Sequence, residues 1–306
     1  MAECISCSSG ALSESHPYLY KSDYFRADFP NLIILKCDDC GLLQVDHDCL
    51  STNRLTEYYA NAYRQKAGIH TGKGGILYAR GTSLAALAKR YSENREIGRI
   101  FELGSGYGYN LEALSDVFPA AELLFDELDE NAWAVGRQAS ITDGPYDVIL
   151  MSHVLEHLVR PKAFIARAYE NLTEGGILVV EVPNESKNFV YQFSPEGRFH
   201  EPHITFFSKE SLGTFFTSSF SEYLSVEFLG SAGALVAERD STIERSLHPS
   251  LKSKIYRKLS FAPGLQRGLS WLYRGLTGKL APQEIDLTNN SPDGSKVFLR
   301  IILRRM

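Results

Sequence analysis

The stretch FELGSGYGYN, residues 101–110, decides the reading of this chain. Apolar residues lead into it, Gly104, Gly106 and Gly108 follow at alternate positions, and Asn110 opens a helix-forming run. A glycine-rich turn between a strand and a helix is how α/β proteins bring backbone N–H groups against a nucleotide-like ligand. A dinucleotide-binding turn spaces its glycines G-x-G-x-x-G. Here the third glycine falls one place early and Tyr109 holds the expected position, which points to a different adenosine-bearing cofactor.

Outward from that turn the pattern alternates strand and helix. Strands are expected at 100–103, 122–126 and 146–151, and helices at 110–118, after 126, and at 164–172. Gly175-Gly176 are expected to end that last helix. Residues 177–182 form a continuous apolar run of the buried parallel type. Later strands are expected at 225–229 and 296–303. The fold class is therefore α/β, a doubly wound, Rossmann-like sheet. Upstream, residues 76–90 place Leu77, Leu84, Leu87 and Ala88 at helical spacing. A glycine-containing link at 68–75 separates that helix from a tyrosine-rich patch at 55–63.

A chain of 306 residues, 44% hydrophobic and 23% charged, has the composition of a soluble globular protein. No apolar run approaches the roughly 20 residues of a membrane span. The opening MAECISCSSG lacks the layout of a secretory signal, so a cytoplasmic location is expected. A net charge of −5 gives no global attraction to nucleic acid. Four of the five cysteines form two C-x-x-C pairs, Cys4 with Cys7 and Cys37 with Cys40. Paired knuckles in such a chain favour a tetrahedral thiolate Zn2+ site, and Gly41 suits the turn after Cys40. The other reading of these four is reduced, partly buried thiols. Cys49 reads as an ordinary cysteine.

ELGSGYG, followed by YDVILMSHVLEHL, LTEGG and ILVVEVPN, resembles the class I S-adenosylmethionine-dependent methyltransferases. The cysteine pairs, LKCDDCGLLQVD and the nearby Tyr58-Tyr59 resemble the N-terminal zinc-binding region of one subgroup. That subgroup methylates sugars on nucleotide carriers and related natural-product or surface-polysaccharide intermediates. The resemblance covers roughly residues 4–230. It implies a zinc-ribbon-like module at 1–54, a linker and helical cap at 55–98, and a methyltransferase domain at 99–306. That domain would carry an acceptor-site loop at 195–215 and a basic helical insert at 243–292.

The resemblance also implies roles. Gly104, Ser105, Gly106 and Gly108 would let bare main chain approach the methionine and ribose of S-adenosylmethionine. Glu102 would attract the cofactor's ammonium. Glu127, with Asp126 as the near alternative, would accept from the ribose hydroxyls, Ser152 and His153 would also contact the cofactor, and His153 and Glu156 would sit near the sheet's C-terminal edge. His203 falls where related sugar methyltransferases carry a histidine proposed as general base. His157 would contact the substrate, with Glu201 and His200 in reserve and Tyr58, Tyr59 and Tyr63 reaching across. Imidazoles suit proton removal from a hydroxyl or carbon acid near neutral pH; the other reading has them capping helices or bridging the loop to the core.

Two features depart from the pattern. Between Glu127 and Asp147 the chain is about a dozen residues shorter than the family pattern, leaving residues 140–142 as a vestigial strand with Ile141 against the adenine. Between Arg245 and Lys279 there are eight Lys or Arg and no acid, with Leu265, Leu269, Leu272 and Leu276 at helical spacing. That segment reads as a helical flap with a solvated basic face, as a peripheral contact with the inner membrane surface, as a grip on a diphosphate carrier, or as an RNA contact. The expected partner is a small, sugar-like acceptor and not nucleic acid. The alternatives are a zinc-containing RNA-binding or RNA-modifying protein, and a catalytically degenerate methyltransferase-fold partner.

Overall fold

A computed structural model describes residues 2–18, 20, 23–61, 63, 76–92, 95–129, 135–185, 202–220, 227–231, 290–291 and 298–305. Its N-terminal part comprises β1 (Leu12–Pro17), α1 (Asp23–Asp28), β2 (Ile33–Cys37), β3 (Leu43–Val45) and α2 (Thr52–Asn61). A helix α3 (Ile76–Tyr91) leads into β4 (Arg99–Leu103), α4 (Tyr109–Val117), β5 (Glu122–Asp126), β6 (Arg137–Gln138) and β7 (Tyr146–Ser152). Then come α5 (Pro161–Glu170), β8 (Leu172–Pro183), β9 (Thr205–Phe206), α6 (Lys209–Phe220), β10 (Glu227–Ser231), β11 (Asn290–Ser291) and β12 (Phe298–Arg304).

Eight strands make the main sheet, in the order β11-β10-β12-β8-β7-β4-β5-β6. β6, β5, β4, β7 and β8 run parallel, and β12 returns antiparallel beside β8. The order reverses at β4, whose neighbours β5 and β7 leave to opposite sides; such a switch point is where open α/β sheets bind ligands. Both faces are covered, which explains why the strands are apolar without alternation. Ile100, Val148, Leu150 and Val179 pack under α3 and α4. Phe101, Ile149, Met151 and Val180 pack with α5 and α6 on the other face, where Cys4, Cys37 and Leu42 also lie.

Several expectations need correction. The helix expected at 164–172 is α5, which begins at Pro161, where a missing N–H costs nothing, and is capped by Asn171. Gly175-Gly176 therefore do not end a helix; they lie inside β8. Tyr146 pairs with Leu172 and Val148 with Ile177, so the stretch around left-handed Gly175 bulges from the ladder. The vestigial strand is Arg137–Gln138, while Ile141–Asp143 is a short 3-10 turn capped by Ser140, and Ile141 packs into the core. The helix expected after residue 126 falls partly on 130–134, and the basic helices of 243–292 almost wholly on 232–289, both outside the described residues.

A second sheet, β1-β2-β3-β9, joins the N-terminal strands to Thr205–Phe206 from the expected acceptor loop. Its aromatic core is Tyr18, Phe25, Phe29, Tyr58 and Phe206. Among the described residues no helix is long and apolar enough to cross a membrane.

Candidate active site

The turn from β4 to α4 bends through three left-handed residues: Gly104 at φ 68°, Gly106 at φ 58° and Gly108 at φ 74°. At Gly104 a side chain is doubly excluded, because its Cβ would also lie 2.6 Å from Val154 Cγ2. The turn borders a cavity of about 570 Å³ that also meets β5, β7 and α2. That volume is the size of an ordinary small-molecule site. Glu127 stands on its wall, with Oε2 accepting from Gly106 N–H at 2.7 Å and Oε1 from Asp129 N–H at 3.1 Å. Asp126 accepts from Gln138 Nε2 at 3.2 Å, and burial together with the charge of Glu127 holds its carboxyl above the usual carboxylate range.

Glu102 is wholly buried behind this wall. Asn110, which does line the cavity, donates from Nδ2 to Glu102 Oε1 at 2.6 Å. Burial, partly offset by that hydrogen bond, raises Glu102 to about 8. Deeper still, Glu181 on β8 and Arg300 on β12 face each other, both wholly buried. Arg300 donates from Nε to Glu181 Oε2 at 2.7 Å and from Nη1 to Ser83 Oγ at 2.7 Å. Ser152 Oγ donates to Glu181 Oε1 at 2.9 Å, and Arg80, on the cavity wall, approaches the same oxygen at 3.5 Å.

The opposite wall begins at the end of β7. His153 takes a left-handed φ of 57°, a conformation that costs a side-chain-bearing residue about 1–3 kcal/mol and is concentrated at functional sites. Its ring lies 3.5 Å from both Glu156 Oε1 and Glu181 Oε1 and edge-on to Phe298. His157, also on the wall, shares a 2.7 Å hydrogen bond between Nδ1 and the Tyr59 hydroxyl of α2. Burial keeps that hydroxyl's pKa well above the ordinary tyrosine value, so it stays neutral. His203 sits one ring further in, edge-on to His157 at 4.7 Å, its Nδ1 2.8 Å from Glu185 Oε1. Between the two imidazoles lies Glu156, wholly buried, with both Nε2 atoms 3.9 Å from its Oε1. Burial, with the charges of Glu185 and Glu181, pushes the Glu156 carboxyl well above the usual range.

The four knuckle cysteines converge away from the cavity. Cys4 and Cys40 sulfurs are 3.5 Å apart, as are those of Cys7 and Cys37, and all four lie within 4.8 Å of one another. None is in a disulfide. Four thiolates about 2.3 Å from one zinc would stand roughly 3.8 Å apart, so the arrangement fits that ion. The β2–β3 turn makes it: Gly41, at φ 73°, donates its N–H to Cys37 O at 2.9 Å. Burial would raise the Cys37 thiol, but the N–H groups of Cys40 and Asp39 and the neighbouring thiols outweigh it and leave it lowered. Cys49 stands apart and exposed.

Residues 77–219 match a family model described as a methyltransferase domain. Over 111 residues the chain is 32% identical to malonyl-(acyl-carrier protein) O-methyltransferase of Bacillus cytotoxicus, covering 31% of this chain and 39% of that protein. The Bacillus anthracis protein of the same name is also 32% identical over 111 residues, which are 31% of this chain and 41% of that one. The chain thus spans about two fifths of the length of the curated relatives it matches. Among solved structures, the plantazolicin methyltransferase BpumL in complex with SAH aligns over 83% of this chain and 90% of its own, at 13% identity and a TM-score of 0.45. DesVI of Streptomyces venezuelae aligns over 36% and 52%, at 19% identity and a TM-score of 0.28.

Of the residues singled out in the sequence, Gly104, Ser105, Gly106, Asp126 and Glu127 meet on the cavity wall, opposite Ser152, His153 and His157. Gly108 caps α4, and Glu102 reaches the cavity only through Asn110. His203 lies behind His157, not on the wall. Glu201 and His200 lie outside the described residues. Tyr59 and Tyr63 line the cavity, while Tyr58 turns to Phe25 in the N-terminal core. Sequence reasoning missed Arg80, Asn110, Glu181, Glu185 and Arg300. Two of these carried a signal: the acid in ILVVEVP and the base in LRIIL are opposite charges inside otherwise apolar strands.

Proposed function

We propose that the chain is an S-adenosylmethionine-dependent methyltransferase acting on a small polar acceptor, a sugar on a nucleotide or lipid carrier or a comparable natural-product intermediate. The observation that carries the reading is one cavity with two unlike walls. A left-handed glycine turn with a carboxylate forms one, and an imidazole hydrogen-bonded to a tyrosine forms the other. Bound S-adenosylmethionine supplies a methyl group on a sulfonium, open to in-line attack. The main chain at Gly104 and Gly106 would give that molecule room, and Glu127 would accept from its ribose hydroxyls. Asn110, backed by the Glu102 carboxyl, would hold its ammonium end, and Leu128, exposed at the rim, would lie toward the adenine side that the short 128–146 segment leaves open. Across the cavity, the acceptor's proton leaves at the cluster of Tyr59, His157 and His203, with His157 the imidazole nearest the acceptor. The four cysteines hold Zn2+ as a structural centre.

Calorimetry with S-adenosylmethionine and S-adenosylhomocysteine tests the cofactor half. Both should bind, and Glu127→Ala should weaken them roughly 10- to 100-fold, the worth of hydrogen bonds to a charged acceptor. Binding of neither by the wild type would remove the proposal.

A further inference from the structure

We propose that Glu156, His157 and His203 form a second metal site, one that takes a first-row divalent transition cation at the edge of the cavity. This rests on the geometry of the cluster and not on the methyltransferase reading. One carboxylate oxygen and one nitrogen from each imidazole lie within 4.8 Å of one another, the only such group among the described residues besides the four cysteines.

Four observations point to a cation. First, Glu156 is fully buried, and neither of its carboxylate oxygens has a hydrogen-bond partner. A buried carboxylate without a hydrogen bond is costly, and a metal ion is one of the few ligands that satisfies it. Second, the imidazoles are pinned from behind. His157 Nδ1 is held by the Tyr59 hydroxyl at 2.7 Å and His203 Nδ1 by Glu185 Oε1 at 2.8 Å. This turns both Nε2 atoms toward the same Glu156 oxygen. A carboxylate or hydroxyl behind a ligating histidine is the usual outer support of a metal site. Third, the spacing is close to ligand spacing. The Nε2 atoms stand 3.9 Å from Glu156 Oε1, and two ligands about 2.1 Å from one ion are roughly 3.0–3.4 Å apart. The difference for each nitrogen–oxygen pair is about 0.5–0.9 Å. Fourth, there is a way in, because His157 lines the cavity while Glu156 and His203 lie behind it.

Two nitrogens and one carboxylate oxygen suit zinc, cobalt, nickel, iron or manganese in the divalent state and disfavour magnesium and calcium. Three protein ligands also leave coordination positions open toward the cavity, which is the arrangement of reactive rather than structural metal sites. An acceptor oxygen bound there would have its pKa lowered by the ion and release its proton to water in the cavity, with the two imidazoles acting as ligands and not as proton acceptors.

The test is a cobalt titration of the full-length protein with its cysteine site already loaded with zinc. Metal content is measured by mass spectrometry and the cobalt absorption recorded. One cobalt per chain is expected, without the near-ultraviolet band of a thiolate-bound ion. Glu156→Gln and, separately, His157→Gln should abolish that binding, and Glu185→Gln should weaken it 10- to 100-fold through loss of outer support. Circular dichroism checks the fold of each variant, and the partly exposed His157 gives a second route should Glu156→Gln fail to fold. Absence of cobalt outside the thiolate site, or equally tight cobalt in Glu156→Gln and His157→Gln, overturns the proposal. Calorimetry of S-adenosylhomocysteine on the same samples reads the methyltransferase proposal separately.

Discussion

Replacing Glu102 with glutamine isolates the most strongly displaced acid beneath the glycine turn. The carboxyl is fully buried and accepts one hydrogen bond, from Asn110, so the neutral form is favoured and titrates near 8 instead of 4.5. A carboxyl raised on folding favours the native state below its unfolded pKa, and that advantage is lost as pH rises through the folded one. At 1.36 kcal/mol per unit, the wild type should lose about 2–3 kcal/mol between pH 5 and 7 from this group, and about 1 kcal/mol more by pH 9. Glutamine keeps the shape and the acceptor for Asn110 but carries no titrating proton. Urea unfolding of both proteins at pH 5, 7 and 9 should therefore give curves that diverge as pH rises, with the variant the more stable at pH 9. Curves that run parallel across this range would refute the burial argument. The same carboxyl predicts that S-adenosylmethionine, bringing an ammonium to this end of the cavity, releases a proton on binding at pH 7. Its calorimetric heat should then depend on the buffer in the wild type and not in Glu102→Gln.

Arg300→Met removes the partner of a fully buried Glu181 and should cost about 3–5 kcal/mol in urea unfolding, whereas Arg300→Met with Glu181→Leu should cost less than the single change. A single-variant loss under about 1 kcal/mol would mean that the pair is solvated. Gly104→Ala meets both a left-handed φ and Val154, so it should destabilise the protein by about 1–2 kcal/mol and weaken S-adenosylhomocysteine at least tenfold. Unchanged calorimetry in that variant would remove the turn from the cofactor site.

Elements with one dominant local signal were legible in the chain. β5 was expected at residues 122–126 and runs Glu122–Asp126, since a short apolar strand between polar turns has few other readings. Gly175-Gly176 misled because a glycine pair after an apolar periodic run looks like a helix cap. The better signal lay fourteen residues before Gly175, at Pro161, which fixes where α5 begins. The cavity's glycine and carboxylate wall was legible for the same local reason, being built from one turn and the next strand end. Across the cavity, Tyr59, His157 and His203 were reached only through the family resemblance and Glu185 not at all: they come from four separate segments, and no spacing within any one of them reveals that they meet.

That difference has a structural origin with a consequence for the zinc proposal. The glycine-and-carboxylate wall belongs to the main sheet, whereas the imidazole wall is tied to the N-terminal module. Cys37 and Cys40 fix the turn between β2 and β3, and β3 pairs through Leu43 with Phe206, three residues past His203. Val45 N–H donates to Ile204 O, the Tyr18 hydroxyl to His203 O, and His47 Nδ1 is 3.0 Å from Val159 O. α2, which packs on the same aromatic core, supplies Tyr59. Opening the thiol cluster should therefore loosen the acceptor side and spare the cofactor side. Cys37→Ser with Cys40→Ser, or zinc removal by a chelator, should leave the Kd for S-adenosylhomocysteine within about twofold, while turnover of the acceptor falls at least tenfold, a loss of about 1.4 kcal/mol in positioning. Equal losses on both sides would mean that the two walls are one cooperative unit, and that the cysteine module stabilises the whole domain instead of building half of its site.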